Sequence, residues 1–199
     1  MSKDYFRPGC GWLFVLIVCC VTALHAQDEG LWRDFRFDDL HAKTNAARLG
    51  KSQINSIWRL LREQIKNDTC TPEDTQAVLK GLTFDEVPLK ENSHVVRATA
   101  GIGCERGGQG ANGGMWLFQV EGGKVQFLGG LSGWGMAVQR AEISGFHDFV
   151  TGWHMSGRET GLSYYRFDGK VYKSIGGTSA FGDDNGVWRL ETQEKSTPK

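Results

Sequence analysis

The densest group of titratable side chains in this 199-residue chain is His147, Asp148, His154 and Glu159. A histidine beside a carboxylate can take a proton from a reacting group. In a strand, alternate side chains share a face, so Asp148 and His154 fall together while His147 points away. The same pair serves equally well as a structural hydrogen bond between strands. Gly108-x-Gly110-x-x-Gly113 spells a dinucleotide fingerprint, but that motif must open a helix, and here the strand pattern Met115–Val120 follows. Neither a Gly-x-Ser-x-Gly elbow nor a His-Glu-x-x-His pair occurs. No metal site and no cofactor is expected. Asp183-Asp184 has turn chemistry rather than that of a paired acid.

The aromatic residues point to binding. Trp116, Trp134, Trp153 and Trp188 lie in a glycine-rich half with Phe127, Phe146, Phe149, Tyr164 and Tyr165. Flat rings beside glycines can stack on sugars or fill a partner's pocket. They can also fill a sheet core where glycine leaves space, and Trp116 and Trp188 suit that role. Trp134, between Gly133 and Gly135, has no strand of its own and is the leading contact candidate. Trp153-His154, beside the loop Met155–Gly161, is second.

Two kinds of element must position these residues. Of 27 glycines, 22 lie between Gly101 and Gly186. The part before them is helical in pattern and the part after it is strands and turns. Ile54, Ile57, Trp58, Leu61 and Ile65 form one helical stripe behind a Ser52 cap. Thr71 and Pro72 open a second helix, with Glu73 and Asp74 in its first turn and Gly81 at its end. Leu31–Arg48 gives a weaker helical pattern. Strands are predicted over Ser93–Ala100, Met115–Val120, Lys124–Leu128, Met136–Ile143, Asp148–His154, Leu162–Phe167, Lys170–Ile175 and Val187–Leu190. Gly107–Gly114 reads as a long loop. Gly122-Gly123, Asp168-Gly169 (as a type I′ pair) and Asn185-Gly186 supply turns.

Two of these hairpins repeat each other. FQVEGGKVQFLGG at 118–130 and YRFDGKVYKSIGG at 165–177 share an apolar run, a Gly-Lys-Val turn and a Gly-Gly end, at offsets of 46 and 47. A repeat of that length can be one multi-stranded unit used twice.

The ends and composition set the compartment. Lys3 and Arg7 precede the apolar stretch Trp12–Ala23, which is shorter than the roughly 20 residues needed to cross a bilayer. Small residues at Ala23 and Ala26 suit signal peptidase, so residues 1–26 are read as a secretory signal, with an uncleaved anchor as the alternative. Without Lys3, Asp4 and Arg7 the chain keeps 21 of its 23 basic and 22 of its 23 acidic side chains. That balance argues against a nucleic-acid partner and, after signal cleavage, against a membrane partner. Cys70 and Cys104 remain after cleavage, and in an oxidising compartment they suggest one disulfide, against two buried thiols. Asn67-Asp68-Thr69 fits a glycosylation sequon. Thr192–Lys199 reads as a frayed tail.

Glu142-Ile-Ser-Gly-Phe-His-Asp-Phe-Val-Thr-Gly152 resembles the core of the FG-GAP or VCBS repeat, and Leu162–Tyr172 resembles the hairpin that follows it. Val95–Ile175 is also similar to a group of small secreted bacterial proteins of unknown function. The resemblance implies a secreted, β-rich protein and brings no catalytic residue with it. Calcium-binding versions place several carboxylates in the turn, whereas Glu142, Ser144 and Asp148 are too few for six to eight oxygen ligands. The chain has room for about two blades, fewer than a propeller needs.

These readings give an α+β fold, with N-terminal helices packed on a twisted, mainly antiparallel sheet built from repeated hairpins. One domain spans 27–191, helical over 31–81 and β-rich over 93–190. The expected function is secreted or periplasmic, non-catalytic recognition of a protein or glycan of the cell envelope, through Trp134, Trp153, His154 and Glu159. The alternative is a secreted hydrolase centred on Asp148, His154 and Glu159.

Overall fold

The computed structural model describes residues 30–65, 70–101, 104, 106–107 and 112–191. The expected signal segment, the sequon and the C-terminal tail lie outside the described residues. The chain divides into two compact units, Met1–Arg33 and Asp34–Lys199. The second unit holds every element below.

The first element of the second unit is a short 3₁₀ turn, Phe37–His41, within the stretch Leu31–Arg48 whose pattern is weakly helical. Helix α1 spans Lys51–Ile65 and buries Ile57, Leu61 and Ile65. Its cap is Gly50 rather than Ser52. The Gly50 carbonyl accepts from the Gln53 and Ile54 N–H groups, and its own N–H donates to Gln53 Oε1 at 2.7 Å. That reciprocal bond sets the helix cap two residues ahead of Ser52. Helix α2, Pro72–Lys80, opens with a full capping box between Thr71 and Asp74 and closes at Gly81, as its sequence predicts.

Among the described residues all strand pairs are antiparallel, and they form two sheets rather than the expected one. The first contains β1 (Asn45–Ala46), β2 (Leu82–Glu86), β3 (His94–Ala100), β4 (Arg106–Gly107), β5 (Asn112–Glu121) and β6 (Lys124–Gly133). The second runs β11-β10-β9-β8-β7, with β7 (Gly135–Ile143), β8 (Phe146–Ser156), β9 (Glu159–Phe167), β10 (Tyr172–Gly182) and β11 (Trp188–Leu190). Strands therefore start at β1 and β2, ahead of residue 93. Asn112–Gly114, expected in a loop, already belong to β5. Residues 108–111 of that expected loop lie outside the described set.

Alternation along β3 and β5 explains the layers. Val96, Ala98 and Ala100 with Trp116, Phe118 and Val120 face the helices and pack with Ile57, Leu61, Ile65, Val78 and Leu79. Val95, Met115 and Leu117 face the other way and pack against Met136, Phe149, Phe167 and Tyr172 of the second sheet. The first sheet is thus the middle layer, buried on both faces. Cys70 and Cys104 form a disulfide that ties the start of α2 to the segment after β3, with Cα atoms 5.6 Å apart.

The repeated sequence is a repeated structure. Residues 118–130 form the β5–β6 hairpin, and 165–177 form the β9–β10 hairpin, one in each sheet. Each carries a bulge just before its Gly-Gly. Leu128 is the extra residue between the pairs Phe118–Phe127 and Leu117–Gly129. Ile175 is the extra residue between Tyr165–Ser174 and Tyr164–Gly176. The 47-residue offset is therefore the offset between two bulges. The turns differ. Gly122 and Gly123, at φ 53° and 81°, make the expected two-residue turn. Asp168-Gly169 does not, because Phe167 pairs with Tyr172 across a four-residue loop. Asp168 Oδ1 accepts from the N–H groups of Lys170 and Val171, which holds both out of the strand.

Candidate functional site

The β8–β9 hairpin places three of the four binding candidates, Trp153, His154 and Glu159, and it divides them. Trp153 pairs with Gly161, and His154 pairs with Thr160. Successive side chains alternate between faces, so Trp153 and Glu159 lie on the face turned toward the first sheet, and His154 lies on the opposite one.

The inner face is covered as far as Thr151, which is buried. At that point Asn112, at the head of β5, grips the backbone of His154 through two bonds of 3.0 and 2.8 Å. Beyond it Trp153 is 44% exposed. Its indole lies across Gly161: a Cβ there would meet Nε1 and stand 2.7 Å from Cδ1 and 2.8 Å from Cε2. Any larger residue would lift the ring off the sheet. Glu159 precedes Gly161 by two positions on this face, is partly exposed, and pairs with Phe181, which is 36% exposed. Phe181 pairs in turn with Arg189. Turn contacts stiffen this end of the sheet: Gly182 N–H donates to the Arg158 carbonyl, and Arg158 meets Asp184 at 2.6 Å.

Trp134 and His154 belong to a cluster on the outer face. Trp134 is a bend between β6 and β7, as expected, with its N–H donating to the Gly152 carbonyl. It is not freely exposed. Its ring stacks on His154 at 5.0 Å and lies 4.7 Å from His41, and Phe37 stacks on Trp188 at 4.1 Å. The 3₁₀ turn is pressed into a notch that Gly135 and Gly152 leave open for Leu40. Sequence reasoning missed Phe37 and His41 as partners of Trp134, since the contact joins residues about a hundred positions apart.

Asp148 sits far from this end. Six residues of strand separate it from His154, about 20 Å at strand rise. Its side chain is wholly buried, and Oδ2 accepts from Arg166 Nε and Nη2 at 3.0 and 2.8 Å and from the Tyr164 hydroxyl at 3.2 Å. Burial, with the Asp148 charge adding to it, pushes the Tyr164 hydroxyl up to about 12. The hydrogen bond to Asp148 raises the Arg166 guanidinium. Asp148, His154 and Glu159 thus occupy two ends and two faces of one sheet, and they do not converge on a reacting atom. His147 Nε2 lies 3.9 Å from Glu142 instead. Among the described residues no group of three His, Cys, Asp or Glu side chains could hold a metal.

No family model matches the chain, nor does any curated protein or solved structure.

A separate trough of about 390 Å³ lies at the other end of the first sheet, lined by Lys43, Asn45, Glu86, Lys90, Ser93 and His94 among others. His94 Nε2 meets Glu86 at 2.9 Å across a strand pair, and Lys90 Nζ lies 4.7 Å over the Phe146 ring. Two of its polar groups, His94 and Glu86, already satisfy each other, and one of its two lysines, Lys90, is held by an aromatic face. Among the described residues no helix is long and apolar enough to cross a membrane.

Proposed function

We propose that the chain is a secreted or periplasmic, non-catalytic binding domain that recognises a protein or glycan of the cell envelope. The contact surface is the free end of the second sheet, at Trp153, Glu159 and Phe181. The observation that carries this reading is the Trp153 indole. It lies flat over Gly161 and remains 44% exposed, in a unit whose two buried clusters hold most of the other large apolar side chains. An exposed indole on a rigid sheet is a contact residue available at little entropy cost. The basic start and apolar run at Lys3–Ala23 and the Cys70–Cys104 pair support export. The likeness of Glu142–Gly152 to secreted β-repeats supports the same compartment. No comparable observation favours the hydrolase reading, because its three residues stand apart.

The test is capture from an envelope fraction with immobilised mature chain. Wild type retains a partner, Trp153→Ala reduces retention at least tenfold, and Ile143→Ala, at the opposite end of the sheet, leaves it unchanged. Equal retention by wild type and Trp153→Ala removes this surface from the account.

A further inference from the structure

We infer that the partner at this surface is an uncharged, β-1,4-linked hexopyranose chain; the inference rests on the binding reading above and names its ligand. Trp153 and Phe181 lie on one face of the sheet. Trp153 stands level with Gly161 and Ser179, and Phe181 lies two residues beyond Ser179. Two strand spacings across and two residues along put their Cα atoms about 12 Å apart. Glu159 lies between them, beside Phe181.

A pyranose with equatorial substituents presents a face of C–H groups, and the negative face of an indole or phenyl ring attracts them. Its hydroxyls radiate in the ring plane and need acceptors and donors at the rim of the aromatic platform. Glu159 supplies the acceptor beside the rings, and Ser179 and Arg189 add donors on the same face by register. Equatorial β-1,4 linkage keeps successive rings in a flat ribbon, which suits two rings held on one sheet face. An α-1,4-linked chain coils and cannot lie on both. The chain's balanced charge gives no basic field for a polyanionic glycan.

Gly161 is the positioning residue. Its missing side chain lets the indole lie down, and a Cβ would collide with Nε1.

The test is calorimetric titration of the mature chain, with tryptophan fluorescence in parallel. The probes are β-1,4-linked hexamers of glucose and of N-acetylglucosamine, against an α-1,4-linked glucose hexamer. At least one β-linked hexamer binds, and the α-linked hexamer binds at least tenfold more weakly. Trp153→Ala and Gly161→Val each lose at least tenfold, Phe181→Ala loses several-fold, and Trp153→Phe, which keeps a flat ring, retains part of the affinity. Two results overturn the proposal: no β-linked hexamer binds at millimolar concentration, or binding survives Trp153→Ala in a chain whose circular dichroism is native. If sugars fail while Trp153→Ala still abolishes envelope capture, the glycan falls and the binding surface stands. If both fail, both fall.

Discussion

Arg166→Ala leaves the Asp148 carboxylate, which has no solvent exposure, without its cation. An uncompensated buried charge costs about 3–5 kcal/mol, so urea denaturation is expected to show a loss of that order, with Asp148→Asn costing less because it removes the buried charge itself and leaves Arg166, which is partly exposed to water. Asp168 is held well below the usual carboxylate range, first by Lys173 at 2.7 Å and then by the Val171 and Lys170 N–H groups. A depressed folded value means the stabilisation is present above the unfolded value near pH 4 and is lost as pH falls through the folded one. The melting-temperature gap between wild type and Asp168→Asn is therefore expected to be full at neutral pH and to close progressively below about pH 4. Among single residues, sequence alone put Trp134, Trp153, His154 and Glu159 forward as one group, because ring type, titratable type and nearness to a turn are local properties. It did not divide Trp134 and His154 from Trp153 and Glu159. That division needs the register between β8 and β9, which no residue in either strand spells out. The Asp148–Arg166 pair escaped for the same reason.

Helix α2 and the β5–β6 turn were legible because each is decided within one turn of chain: Thr71, Pro72 and Asp74 in the first, Gly122-Gly123 in the second. The Asp168 turn was misread because Asp168 caps Lys170 and Val171, a side-chain bond that overrides the two-residue turn its Asp-Gly spelling suggests. The duplicated Gly-Gly was visible, and its meaning as a bulge was not. Gly133 marks where the chain leaves one sheet for the other, at φ 148°, with the Gly152 carbonyl occupying the place of a Cβ. Backbone cannot swing aside as a side chain can, so Gly133→Ala is expected to cost about 2–4 kcal/mol in denaturant titration. Gly122→Ala, open on all sides at φ 53°, is expected to cost about 1 kcal/mol from strain alone. Replacing both Cys70 and Cys104 by serine opens a link between residues 34 apart in sequence and is expected to cost about 3 kcal/mol. Similar stability of this variant and wild type under non-reducing conditions would contradict that.

At the scale of the molecule, sequence pattern predicted helices on a β-rich body, and the described residues are mainly β with two helices. The second sheet was not legible. Both sheets alternate in the same way, and only the buried character of both faces of β3 and β5 reveals that something covers the side away from the helices. This layering explains the candidate site. Among the described residues, the first sheet reaches the backbone of His154 through Asn112, and the strands at this end carry the exposed rings of Trp153 and Phe181. Hydroxyl-radical footprinting of the mature chain, with and without an envelope fraction, tests the central claim most directly. Trp153 and Phe181 are expected to lose most of their reactivity when the partner is present, while Trp134 and Ile143 keep theirs. Unchanged reactivity at Trp153, with protection elsewhere or nowhere, would contradict the account.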